Sequence, residues 1–116
     1  MRWPSTFDDL ITQAETHDLY LKLVHQLNKD LILANVELTF ADEILPSSLR
    51  YLLMEQVFIL IKENFSTYLN LLYIIDVSEE KVKQLDGSEI AQLSEEVTFL
   101  ILQREWQKVW FRRTYS

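Results

Sequence analysis

Two histidines, 18 carboxylates and no cysteine make up the reactive side chains of this 116-residue chain, and their spacing limits what they can do together. Neither histidine has a glutamate three positions before it: Ala14 stands before His17 and Lys22 before His25. The paired Glu-x-x-His motif of di-iron bundles is therefore absent, as is the His-Glu-x-x-His zinc motif. His25 shares a helical face with Asp18, Lys22 and Lys29 and reads as a solvated surface histidine. His17 falls at an expected bend and reads as a partly buried side chain bonded to backbone. With no cysteine, thiolate nucleophiles, thiolate zinc sites and disulfides are excluded.

The carboxylates offer no marked pair. Asp42 with Glu43, Glu79 with Glu80 and Glu95 with Glu96 are chain neighbours, and neighbours on a helix diverge by about 100° and cannot flank one substrate. They read as solvated faces or helix-start residues. No Gly-x-Ser-x-Gly elbow is present, and the single glycine, Gly87, cannot build a phosphate-cradling loop. No catalytic, cofactor-binding or metal-ligating residue is assigned, and the reading leans away from an enzyme.

The most specific stretch is REWQKVWFRR at 104–113. Arg104, Lys108 and Arg112 repeat every fourth residue and set a basic edge beside Trp106 and Trp110. The charge is uneven: residues 104–116 carry four basic side chains and one acidic, against 7 and 17 in residues 1–103. The tryptophans could complete the chain's own core, or face a partner, since Trp and Arg are enriched at binding hot spots. A membrane surface or nucleic acid is a third reading, and the net charge of −7 argues against nucleic acid, whose affinity comes from Lys and Arg.

The elements that must carry these side chains are helices. One glycine and two prolines leave little material for hairpins. Ser5 or Thr6 caps a short first helix with a stripe of Phe7, Leu10, Ile11 and Ala14. A rotated stripe of Tyr20, Leu23, Val24, Leu27, Leu31 and Ala34 implies a bend near Glu15–His17, with Thr16 as a possible second cap. Asn35 suits the left-handed backbone past a helix end. The alternating VELTF reads as an extended segment plugging Val36, Leu38 and Phe40 into the bundle. Pro46 marks the next start. From Tyr51 to Ile75 one stripe, Met54, Val57, Phe58, Ile61, Phe65, Tyr68, Leu72 and Ile75, predicts a continuous helix. Ser78 starts a short helix, and Ser88 precedes the last one.

The last helix carries two apolar stripes on opposite sides: Ile90, Leu93, Val97, Leu100 and Ile101 first, then Phe99, Leu102, Trp106, Val109 and Trp110. A straight helix with this pattern needs apolar contacts on both sides.

The fold expected is an all-α, small antiparallel bundle of three main helices, about 17–34, 47–75 and 89–113, with short N-terminal and connecting helical segments, as one domain over 1–116. A central helix of ~40 Å beside one of ~27 Å leaves apolar surface uncovered. The expected function is that of a non-enzymatic interaction, regulatory or scaffold protein, a homodimer or bound to a protein partner. Its interface comprises Phe99, Leu102, Trp106, Val109, Trp110 and Arg113, together with the unmatched end of the central helix. A ligand-binding or enzymatic pocket between helices, with Tyr20, Tyr68, Tyr73 and His17 as its polar groups, is the alternative. Membrane-surface attachment through residues 104–116 is weaker. No cofactor and no nucleic acid are expected. The N-terminus lacks the pattern of a signal peptide and no segment is apolar enough to span a bilayer, so a cytoplasmic location is expected.

Overall fold

The computed structural model describes residues 2–115, and its described residues form six helices and no strand. α1 runs Phe7–Thr16, α2 Tyr20–Leu33, α3 Pro46–Glu63, α4 Phe65–Ile75, α5 Glu79–Lys83 and α6 Ile90–Tyr115. Thr6 caps α1, its hydroxyl accepting from the Asp9 amide at 3.1 Å. The bend after α1 is real and is made by Asp18, whose φ of 56° is left-handed. Leu19, not Thr16, stands at the start of α2, with no side-chain cap. Asn35 adopts φ 63° just past α2, the conformation that lets the chain turn away from the helix end.

Residues 36–40 belong to no helix or strand and carry a tight turn, the Leu38 amide donating to the Val36 carbonyl at 3.0 Å, with Val36 and Phe40 buried. Asn28 holds them. Its Nδ2 donates to the Phe40 carbonyl at 2.9 Å and its Oδ1 accepts from the Phe40 amide at 2.8 Å. One side chain thus replaces both ladder bonds that a neighbouring strand would supply.

The expected helix over 47–75 is two helices. Asn64, at φ −150° and ψ 70°, interrupts it and caps α4, accepting from the Thr67 amide at 3.3 Å. Capping side chains offer the backbone an alternative to helical bonding, so Asn64 followed by Ser66 and Thr67 wins over an apolar stripe that keeps its phase. The break also rotates what is buried. Leu49, Leu53, Val57 and Leu60 of α3 enter the core with Tyr68, Leu71, Leu72 and Ile75 of α4, while Phe65 is exposed.

α6 is the central post, touching α1, α2, α3 and α4. It runs antiparallel to α2: Arg113 near its end donates to the His17 carbonyl before α2, while Lys108 reaches Asp30 near the end of α2. Its buried residues are Ser94, Val97, Thr98, Ile101, Leu102, Glu105, Trp106 and Val109. These follow the i, i+3, i+4, i+7 rule of one unbroken face. The stripe therefore does not change sides. It looked interrupted because Ser94, Thr98 and Glu105 on it are polar. The hydroxyls of Ser94 and Thr98 are satisfied within the helix, donating to the Ile90 and Ser94 carbonyls at 2.7 Å each.

Candidate functional site

One consequence of the unbroken face is that half of the expected interface is core. Trp106 is 0% exposed, Leu102 and Val109 are buried beside it, and Trp106 Nε1 donates to Gln13 Oε1 of α1 at 3.2 Å. These three cannot meet a partner, because the chain's own helices already cover them. Phe99 is half-buried in a hollow that Phe7, Arg50 and Leu85 also line. Trp110 is half-buried, its ring edge-on to His17 at 4.7 Å and capped by the Arg113 guanidinium at 5.9 Å. Only Arg113 of the six is exposed.

The four polar groups of the alternative pocket are dispersed rather than gathered. Tyr20 donates to the Ile44 carbonyl at 2.6 Å, and Tyr68 is buried against Phe65. Tyr73 is 80% exposed, and His17 packs on Trp110. His25 accepts or donates a 2.9 Å bond with Asp42 at the surface. Among the described residues no three His, Cys, Asp or Glu side chains come together to hold a metal.

The basic edge divides into three separate tasks. Arg104 binds the end of α4, donating from Nη2 to Asp76 Oδ2 and from Nε to the Asp76 carbonyl, both at 3.1 Å. Asp76 is left-handed at φ 69°, and the guanidinium pins this helix end to α6. Arg112 lies in a groove between α2 and α6. Lys108 turns inward, donating to Asp30 Oδ2 at 2.7 Å and lying 3.2 Å from Glu105 Oε1.

That inward turn reveals a carboxylate pair that chain neighbours do not form. Asp30 and Glu105 come from different helices and are both buried, Glu105 completely. Gln26 Nε2 donates to Asp30 Oδ2 at 3.1 Å. Burial pushes Glu105 up to about 9, and the hydrogen bond and charge of Asp30 add to the shift, with Lys108 opposing it. Asp30 behaves oppositely. Burial would raise it, but hydrogen bonds from Glu105, Lys108 and Gln26 and the charge of Lys108 hold it below the ordinary carboxylate range. At neutral pH the cluster is thus a protonated Glu105, an ionised Asp30 and an ammonium, with no net charge.

Such a pair resembles acid–base machinery in its proton sharing, but it is sealed. A catalytic acid must come within hydrogen-bond reach of its substrate, and both carboxyls are closed off from solvent. The geometry assigns the cluster to holding α2 on α6 in one register. The signal for it was present in the sequence: Glu105 lies four residues after Ile101, four before Val109 and three after Leu102, inside the stripe rather than beside it.

One run of exposed apolar side chains lies along α4. Its eleven residues, FSTYLNLLYII, contain no charge. Phe65, Leu69 and Tyr73, spaced by four, are 54%, 51% and 80% exposed along one edge. Beside them Leu69, Leu72, Tyr73, Val77 and Val82, together with Asp76, Glu79 and Lys83, line a hollow of about 600 Å³ between α4 and α5. No helix among the described residues is long and apolar enough to cross a membrane. No family model matches the chain, and neither does any curated protein or solved structure.

Proposed function

We propose that the protein is a non-enzymatic, self-associating interaction module, and that two copies meet through α4. The observation that carries this reading is the exposed Phe65, Leu69 and Tyr73 edge on a helix without a charge. Apolar surface gains about 25 cal/mol per Å² on leaving water, and aromatic side chains are the usual anchors of such contacts.

A second copy fits this face for an electrostatic reason. Each chain carries −7, so like copies repel, and they approach at least cost where the facing helices themselves carry no charge, as α4 does. The stripe is also symmetric about its middle. In an antiparallel two-fold pairing Leu69 lies beside the axis, and Phe65 meets Tyr73 of the second copy, which is the self-complementarity an isologous interface requires. The hollow beside Val77 and Val82 receives the edge of the facing helix. The interface thus moves from the Trp106 face, which is core, to the exposed edge of α4.

Because the chain has no cysteine, a single Leu69→Cys change tests the pairing directly. Mild oxidation should convert most of the variant to a covalent dimer, whereas Leu21→Cys, at an exposed apolar position on α2, should stay monomeric under the same treatment. Equal cross-linking of both variants, or of neither, contradicts pairing through α4.

A further inference from the structure

The groove between α2 and α6 concentrates positive charge in an acidic protein. Lys22, Lys29, Arg112 and Arg113 line it together with Leu19, His25, Gln26 and Val109, and no aspartate or glutamate is among the lining residues. Those four cations, set against the net charge of −7, leave −11 on the rest of the chain. Lys22, Lys29 and Arg112 form no ion pair with any described residue. Like charges held on facing walls repel, and a bound anion removes that repulsion.

We propose that this groove binds a compact small molecule carrying two or more phosphates beside a hydroxyl, with Lys22 and Lys29 on one wall and Arg112 and Arg113 on the other. The volume, about 580 Å³, falls in the roughly 300–1,000 Å³ of small-molecule sites. Lys22 and Lys29 are two helical turns apart, ~10 Å along α2, so separated phosphates engage both walls better than one phosphate does. Arginine supplies the forked donors that match phosphate oxygens.

Gln26 between the lysines adds a second requirement. It is 5% exposed, its Nε2 is committed to Asp30, and its Oε1 is buried with no partner. An amide oxygen accepts and does not bind an anion, so it calls for a hydroxyl donor next to the phosphates. The buried cluster lies behind the site: Lys108 and Gln26 Nε2 both donate to Asp30 Oδ2, which fixes the Gln26 amide. A long nucleic acid is disfavoured, because beyond a Debye length of about 8 Å it runs onto acidic surface.

The test is titration calorimetry of the full chain with a sugar bisphosphate at physiological salt, beside inorganic phosphate, a single-stranded oligonucleotide and vesicles containing phosphatidylinositol bisphosphate. Binding of the sugar bisphosphate with Kd below about 1 mM is expected, weakened about tenfold or more in Lys22→Gln/Arg112→Gln and unchanged in Lys81→Gln/Lys83→Gln on α5, which alters net charge equally. Thermal melting establishes that both variants fold, and all four positions are exposed. Binding to the vesicles and not to the soluble sugar assigns the phosphates to a lipid headgroup. No binding to either, equal weakening in both variants, or tighter binding of the oligonucleotide overturns the proposal.

Discussion

Lys108 and Asp30, 78 residues apart in the chain, are joined by a 2.7 Å bond from Nζ to Oδ2 across the α2–α6 contact. Asp30 is almost fully buried and Lys108 largely so. Removing one partner of a buried pair leaves the other uncompensated and costs about 3–5 kcal/mol. Lys108→Met should therefore lower stability by about 3 kcal/mol in chemical denaturation, near the bottom of that range because Lys108 retains some solvent contact. Arg104→Ala, which breaks a more exposed pair with Asp76, should cost about 1 kcal/mol or less. Equal losses in the two variants would show that the inward turn of Lys108 contributes nothing special.

Glu105 makes stability fall as pH rises. Its pKa is about 9 in the folded chain against an ordinary 4.5, so the folded state holds the proton more tightly. The contribution is full below about pH 4.5 and is lost progressively as pH climbs towards 9. At about 1.4 kcal/mol per pH unit, roughly 3 kcal/mol is gone by pH 7. Glu105→Gln keeps a donor facing Asp30 and has no proton to lose. The variant should match the parent near pH 4 and exceed it by about 3 kcal/mol at pH 7. Parallel stability curves for the two proteins between pH 4 and 9 would contradict a protonated Glu105.

Asn64 separates α3 from α4 and caps the second of them. Asn64→Ala should cost about 1 kcal/mol, the usual value for a lost N-cap, measured by the thermal midpoint. A neutral or stabilising effect would mean that the two helices gain more by joining than α4 gains from its cap.

Trp106 and Leu69 should separate folding from association. Trp106 is fully buried and bonded to Gln13, so Trp106→Ala should lose about 3–5 kcal/mol and reduce folded yield at every concentration. Leu69 is half-exposed, and Leu69→Glu should melt within about 0.5 kcal/mol of the parent when both are monomeric. A folded, stable Trp106→Ala would return the tryptophan to the surface.

The fold class, a cap at Ser5 or Thr6, the cap at Ser78, whose hydroxyl accepts from the Lys81 amide at 3.3 Å, the left-handed Asn35 and the plugged segment at 36–40 were legible because each rests on local chemistry. The break at Asn64 was hidden by an apolar stripe whose phase continues through it, and only the capping tendency of Asn before Ser and Thr marked it. In α6 the error had the opposite origin. Ser94, Thr98 and Glu105 are buried, and a reading that expects apolar residues inside split one face into two and asked for a partner to cover the second. The place of Glu105 inside the stripe was periodic and readable, but the partner across the helices was not: the Lys108–Asp30 bond joins residues 78 apart and leaves no local trace. The groove cations were visible individually, but only the antiparallel placement of α2 on α6 brings Lys22 and Lys29 opposite Arg112.

Self-association through α4 is tested most directly by sedimentation equilibrium of the parent chain, Leu69→Glu and Arg112→Glu across a concentration series up to about 0.1 mM, where a Kd of about 10 μM leaves most chains paired. The parent and Arg112→Glu should approach twice the 13.9 kDa chain mass, with Leu69→Glu remaining at the single-chain mass. A parent chain that stays at the single-chain mass throughout, or a Leu69→Glu variant that pairs as tightly as the parent, would contradict it.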